Sequence, residues 1–176
     1  VLLPSHYQPS DKLVELLLAA RAARALGVRH LTLVAPYLAY MRQDIAFHPG
    51  EAVSQRIVGP FLASLFDAVV TVDPHLHRVA TLPEAVPAAQ AVVVSGAPLL
   101  ADWIVQQRPG ALLVGPDGES AQWVAQATAR HGLEHAVCTK ERHGDRSVTI
   151  HLPPVAVQGR AVALLDDMAS TGDTLA

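Results

Sequence analysis

Short apolar runs alternate along the chain with longer stretches in which apolar residues recur every three or four positions. The longer pattern predicts amphipathic helices over residues 11–27, 54–66, 97–107 and 120–132. The short runs predict strands over residues 30–36, 68–73, 91–96, 111–118, 135–140, 147–152 and 161–167. Apolar strands separated by helices indicate an α/β fold with mainly parallel sheets flanked by helices on both faces.

Local signals predict where these elements begin and end. Ser10 is placed to cap the first helix and Gly27 to end it, while Gly59-Pro60 predicts a kink or break in the second helix. The proline-bearing stretch 79–90, VATLPEAVPAAQ, lacks charge periodicity and is interpreted as a linker. We therefore predict two domains.

The predicted domains are residues 1–85 and residues 86–176. With 176 residues and 51% hydrophobic content, the chain is long enough for one large or two small cores. A net charge of −3 argues against a broad nucleic-acid surface, and no apolar run approaches the ~18 residues that a membrane span needs. The single cysteine, Cys138, excludes an internal disulfide and favours a reducing, cytoplasmic location. Neither end reads as a natural terminus, so a partial chain is expected.

Ligands of open α/β sheets bind at the carboxyl ends of the strands, and four predicted strands end in polar segments. In the last of these, ALLDDMASTGDT, an apolar strand runs into two aspartates and a loop rich in hydroxyls. Backbone N–H groups and hydroxyls of such a loop suit a phosphate monoester, and the carboxylates can accept hydrogen bonds from sugar hydroxyls. The alternative is a turn whose aspartates cap the following helix.

This segment resembles the ribose 5-phosphate loop shared by type I phosphoribosyltransferases and ribose-phosphate pyrophosphokinases. A second segment, PYLAYMRQDIAFHPGEAVSQRIV (36–58), resembles a stretch of the pyrophosphokinases that ordinary phosphoribosyltransferases do not have. Two shorter segments, DPHLH (73–77) and GPDGES (115–120), resemble the Asp-Leu-His and Pro-Asp-x-Gly segments of the same family. The resemblance therefore implies two phosphoribosyltransferase-type domains, the first on the ATP side and the second on the ribose 5-phosphate side.

The resemblance also implies the site residues. Arg42, Gln43, Asp44 and His75 are predicted to bind ATP, with His75 and Asp117 contacting Mg²⁺. Lys140 and Arg142 match a family Lys-x-Arg segment that stabilises the transferring group. The predicted ribose 5-phosphate residues are Asp166, Asp167, Ser170, Thr171, Gly172, Asp173 and Thr174.

The implied activity transfers diphosphate from ATP to ribose 5-phosphate, giving phosphoribosyl pyrophosphate and AMP in a homo-oligomeric enzyme that uses Mg²⁺. One alternative is a phosphoribosyltransferase that consumes phosphoribosyl pyrophosphate. The other is a non-catalytic regulatory subunit of a synthetase, which three departures from the family pattern favour: Pro74, Glu119 and Glu141.

Overall fold

The computed structural model describes residues 9–143 and 147–167. The chain divides into two compact units, Val1–Val94 (unit 1) and Ser95–Ala176 (unit 2). Each unit contains a three-stranded sheet in which all strands are parallel. The predicted α/β class with mainly parallel sheets is therefore confirmed.

In the described part of the chain the helices are α1 (Pro9–Ala25), α2 (Ser54–Leu65), α3 (Leu82–Ala85), α4 (Ala97–Gln107) and α5 (Ala121–His131), with a 3-10 turn at Gly118–Ser120. The strands are β1 (Thr32–Ala35), β2 (Ala68–Val72), β3 (Gln90–Val94), β4 (Leu112–Gly115), β5 (His135–Val137), β6 (Thr139–His143), β7 (Ser147–His151) and β8 (Val162–Leu164). None of the described helices is long and apolar enough to cross a membrane.

Unit 1 is built on the sheet β1-β2-β3, with α2 packed into its core. The apolar stripe of α2 buries Val58, Leu62 and Leu65, as the predicted helical period requires. The helix runs through Gly59-Pro60 without a break. Gly59 is needed there because a Cβ at this position would overlap the backbone carbonyl of Ala85.

Three predictions about unit 1 need correction. Residues 79–90 do not form a linker, because Leu82 and Val86 are buried in the core of unit 1. β3 pairs with β2, so the chain divides between Val94 and Ser95, later in the sequence than the predicted boundary at residues 85/86. Ser10 lies inside α1 and its hydroxyl bonds to the Tyr40 hydroxyl, so it does not cap the helix as predicted.

Unit 2 is built on the sheet β5-β4-β8. All four residues of the central strand β4 are buried, as expected for a strand covered on both faces. Helix α5 contributes Trp123, Val124 and Ala127 to the core and ends at Gly132, whose φ of 61° is the left-handed conformation that glycine favours. The predicted strand 135–140 is interrupted at Cys138, after which β6 and β7 form an antiparallel hairpin.

Candidate functional site

The segment after β1 carries the first predicted site residues. It leaves the sheet after Pro36, whose carbonyl accepts a hydrogen bond from Val72 of β2. Leu38 and Met41 are 4% and 1% exposed and fix the segment to the core of unit 1. The Met41 carbonyl accepts a hydrogen bond from the buried amide of Gln55 in α2. Arg42 therefore follows a residue that packing and a buried hydrogen bond both hold in place.

The three predicted ATP-binding residues in this segment have different surroundings. Arg42 is exposed. The Gln43 side chain accepts a hydrogen bond from the backbone N–H of Ser54 at 2.7 Å, and so satisfies one of the free donors at the start of α2. Asp44 is 7% exposed, and its Oδ1 lies 3.3 Å from Nε of Arg78. Only Arg42 is thus presented to solvent, while Gln43 and Asp44 make internal contacts.

The loop that follows is organised by Glu51 of the Pro-Gly-Glu segment. Glu51 Oε2 accepts hydrogen bonds from the backbone N–H groups of Phe47 and His48, and Oε1 lies 2.8 Å from Nδ1 of His48. These hydrogen bonds, with the His48 side chain contributing most, lower the pKa of Glu51 below its ordinary value. The Glu51 carboxylate therefore fixes the conformation of the loop over residues 47–51.

The segment after β2 carries the predicted histidine. β2 ends at Val72, and the chain leaves the extended conformation at Asp73, whose φ is 39°. Its N–H bonds to the carbonyl of Val94 at the end of β3. The rings of His75 and His77 are stacked, with centroids 6.2 Å apart. A non-glycine residue at positive φ costs ~1–3 kcal/mol, and such residues cluster at functional sites, although aspartate adopts positive φ more readily than most residue types.

In unit 2, three charged side chains follow neighbouring strands. Asp117 follows β4, Lys140 lies at the start of β6 just after β5, and Asp166 follows β8. Because β5, β4 and β8 are parallel neighbours, their carboxyl ends lie at one edge of the sheet. Two carboxylates and an ammonium group are therefore gathered at the edge where α/β folds bind ligands.

Asp117 has two contacts that use different carboxylate oxygens. Oδ1 accepts hydrogen bonds from the N–H groups of Glu119 and Ser120, at 3.1 and 3.3 Å, and caps the 3-10 turn. Oδ2 lies 3.9 Å from Nζ of Lys140. Gly115 permits this tight turn, since a Cβ there would overlap the Ser120 hydroxyl. The structure thus brings the predicted metal residue and a predicted catalytic residue together.

The remaining predicted residues of unit 2 are placed in part. Asp166 and Asp167 are half-buried, and Asp166 Oδ1 accepts a hydrogen bond from the Asp167 N–H. Arg142 lies in β6, on the same strand as Lys140. The predicted phosphate loop, Ser170 to Thr174, lies outside the described residues.

Cys138 lies between β5 and β6, and its N–H bonds to the Gly115 carbonyl. Burial, and to a lesser degree the charge of Asp117, raise the pKa of its thiol above the ordinary value. A thiol with a raised pKa is protonated at neutral pH and is a poor nucleophile. Cys138 therefore contributes packing beside the site.

Two contacts beside the predicted site residues were not predicted from the sequence. Arg78 directly follows the histidine segment, so a cation at this position was a visible signal, but its partner Asp44 lies 34 residues away. Gln55 is a polar residue within the apolar stripe of α2, which is a sign of a buried hydrogen bond. The first contact joins the segments that follow β1 and β2, and the second joins the segment after β1 to α2.

Comparisons with known proteins agree with the motifs. Residues 1–65 match the family model for the N-terminal domain of ribose phosphate pyrophosphokinase. The chain is 35% identical to the ribose-phosphate pyrophosphokinase of Methanopyrus kandleri over 99% of its own length and 60% of that protein. It is 32% identical to the enzyme of the same name from Thermococcus kodakarensis, over 96% of this chain and 59% of the relative.

A solved structure shows the same fold. The phosphoribosylpyrophosphate synthetase of Mycobacterium smegmatis matches with a TM-score of 0.76 and 26% identity, over 98% of this chain and 56% of the other. The chain thus has the α/β architecture of that synthetase. It is similar to the ribose-phosphate pyrophosphokinases along nearly all of its own length, which confirms the resemblance seen in the motifs. It spans about 60% of the length of the curated relatives.

Proposed function

We propose that the protein containing this chain is a ribose-phosphate diphosphokinase that transfers diphosphate from ATP to ribose 5-phosphate. The products are phosphoribosyl pyrophosphate and AMP. The named relatives support this activity, because they carry the pyrophosphokinase name and match almost the entire chain. The observation that carries the proposal is the gathering of Asp117, Lys140 and Asp166 at the carboxyl edge of one parallel sheet.

The proposed roles in unit 2 follow from charge. Asp166 and Asp167 accept hydrogen bonds from the ribose hydroxyls, and the loop from Ser170 to Thr174 holds the 5-phosphate. The 1-hydroxyl oxygen then bonds to the β-phosphorus of ATP while the bond from that phosphorus to the α,β-bridging oxygen breaks; AMP leaves with the bridging oxygen, and the hydroxyl proton is released to solvent. Lys140 stabilises the negative charge that spreads over the transferring group, with Arg142 of the same strand in the same role.

In unit 1 the proposed donor residues are Arg42 and His75. Arg42 is exposed on a segment that is anchored on both sides, so its guanidinium can make bidentate contacts with the phosphates of ATP. His75 lies on the neighbouring segment after β2. We propose that Gln43 and Asp44 act at the same site, and their internal contacts keep the segment in one conformation.

Mg²⁺ fits this arrangement as an ion that binds with the nucleotide. Within residues 9–143 and 147–167, no group of three or more His, Cys, Asp or Glu side chains could hold a metal alone. Mg²⁺ commonly uses one or two carboxylates plus substrate phosphates, and Asp117, whose Oδ2 makes only a long ion pair with Lys140 at 3.9 Å, suits that role. His75 is the proposed contact on the ATP side. The ion would neutralise phosphate charge when bound.

The test is AMP release by the full-length protein incubated with ATP, Mg²⁺ and ribose 5-phosphate. We expect AMP and phosphoribosyl pyrophosphate in equal amounts, detected by anion-exchange chromatography. Omitting ribose 5-phosphate is the control and should abolish AMP release. No AMP over a wide range of substrate concentrations would contradict the proposal. Binding of ribose 5-phosphate without turnover would instead favour the alternative that the protein is a regulatory subunit of a synthetase.

We further propose that the active protein is a cytoplasmic homo-oligomer. The support is the similarity of the chain to the ribose-phosphate pyrophosphokinases, because the resemblance to that family implies a homo-oligomeric enzyme. Light scattering of the full-length protein tests the assembly, and a monomer at assay concentration that retains full activity would contradict it.

A further inference from the structure

Asp44 is unusually enclosed for a charged residue. Its side chain is 6% exposed, and its nearest cation is the guanidinium of Arg78, with Nε 3.3 Å from Oδ1. Oδ2 is buried and, among the described residues, has no hydrogen-bond donor. Enclosing a carboxylate costs free energy unless it is paired, so the ion pair with Arg78 is what makes this position tenable.

The ion pair joins two separate segments of the chain. Asp44 belongs to the segment after β1 that presents Arg42, and Arg78 belongs to the segment after β2 that presents His75. Both segments leave the same edge of the sheet, because β1 and β2 are parallel neighbours. The contact therefore links the two segments that carry the proposed ATP residues.

Arg42 depends on its neighbours for its position. On one side, Met41 is buried and its carbonyl is held by Gln55. On the other side, Gln43 is bonded to the start of α2 and Asp44 is held by Arg78. If Arg78 is removed, the second anchor becomes an unpaired buried carboxylate, which relaxes toward water and shifts the backbone beside Arg42.

We infer that Arg78 is a positioning residue for ATP: it acts through Asp44 to hold the segment that carries Arg42. The inference rests on the proposed diphosphokinase activity. It assigns no contact between Arg78 and the nucleotide. Its consequence is that Arg78 affects the donor side of the reaction and leaves the ribose 5-phosphate side unchanged.

The experiment compares Arg78→Met, Arg78→Lys, Asp44→Asn and the double variant in the full-length protein. We expect Arg78→Met to raise the KM for ATP about tenfold, equivalent to ~1.4 kcal/mol, with the KM for ribose 5-phosphate changed less than about twofold. Arg78→Lys keeps the charge and should recover part of the loss. In the Asp44→Asn background, Arg78→Met should add less than about twofold, because the two residues act as one unit.

The matched control is Arg24→Met. Arg24 also pairs with an aspartate of unit 1, since its Nη2 lies 2.7 Å from Oδ2 of Asp67, but Asp67 precedes β2 and lies at the opposite edge of the sheet. Arg24→Met should lower thermal stability and leave the KM for ATP within about twofold. A cavity of about 290 Å³ borders Asp44 and Arg78, so the Asp44 carboxylate can move toward water when the guanidinium is lost, and the Arg78 variants should fold.

Three results would overturn the inference. The first is an unchanged KM for ATP in Arg78→Met, and the second is an equal rise in Arg24→Met, which would indicate general loosening of unit 1. The third is a KM for ATP in the double variant that rises by the product of the two single-variant factors, which would mean that Arg78 and Asp44 act independently. The wild-type protein separates these results from a failure of the proposed function, because that failure removes AMP release from wild type as well.

Discussion

Unit 1 and unit 2 each place charged residues at the carboxyl edge of their own parallel sheet. The contacts that these residues make differ between the two units. In unit 1, Gln43 bonds to a helix start and Asp44 is enclosed in an ion pair at 3.3 Å. In unit 2, the ion pair between Lys140 and Asp117 is longer, at 3.9 Å, and both side chains remain partly exposed. A side chain that makes strong contacts within the protein fixes the backbone and is less able to bind a ligand. A charge in a long, partly exposed ion pair can still bind one.

This difference separates two kinds of site residue. The polar groups of unit 1 that sequence motifs single out act largely on the chain itself, and Arg42 is the one of its Arg-Gln-Asp motif that faces solvent. Those of unit 2 are proposed to act on the substrates. Substitutions in the two units should therefore differ in whether they change stability, catalysis or both.

The largest expected effect on catalysis is in unit 2. Lys140→Ala should lower kcat by ~10²–10³ because it removes a donor to the developing charge of the transferring group. Its thermal unfolding should be nearly unchanged, since its ion pair with Asp117 is long and partly exposed. Steady-state kinetics and differential scanning calorimetry measure the two effects. Lys12→Ala, which removes a surface ion pair with Glu15, is the matched control and should match wild type in both.

The largest expected effect on stability is in unit 1. A Cβ at Gly59 would overlap the backbone carbonyl of Ala85, which cannot rotate away, so Gly59→Ala should destabilise by ~3 kcal/mol. A Cβ at Gly115 of unit 2 would meet the Ser120 and Val124 side chains, which can adjust, so Gly115→Ala should cost only ~1 kcal/mol. Urea unfolding of both variants tests the order. A larger loss for Gly115→Ala would show that unit 2 is the more rigid of the two.

A smaller effect is expected from Gln43. Gln43→Ala removes the acceptor for the Ser54 N–H and should destabilise by ~1 kcal/mol, as the loss of a helix cap does. Gln43→Glu keeps an acceptor oxygen and should retain most of the stability. Urea unfolding distinguishes them. Equal losses in the two variants would show that the hydrogen bond to α2 is not what Gln43 contributes.

The smallest effect is a pH dependence in unit 1. Hydrogen bonds from the Leu31 N–H and from Arg24 lower the pKa of Asp67 below its ordinary value of 3.8. A lowered folded-state pKa adds stability at pH above 3.8 that is lost as the pH falls toward the folded-state value. Asp67→Asn should therefore be less stable than wild type at neutral pH, with the two converging in acid. A constant difference across this range would contradict the assignment to Asp67.

Much of the fold could be predicted from the sequence. The apolar periods located α2, α4 and α5 and the strands of both sheets, because the repeat of buried positions is a local property. The prediction for segment 79–90 was wrong. Its proline content is typical of a linker, but Leu82 and Val86 pack into the core of unit 1 through long-range contacts that composition does not reveal.

The motifs predicted where chemistry is placed, and the tertiary structure decided which side chains are free to perform it. The sequence alone placed Asp117, Lys140 and Asp166 near the carboxyl ends of predicted strands, since each lies next to an apolar run. Only the pairing of β1 with β2 brings Asp44 to Arg78, and only the order β5-β4-β8 brings Lys140 to Asp117. The physical reason is that burial and ion pairing depend on neighbours in space, which parallel strands bring together from distant parts of the chain.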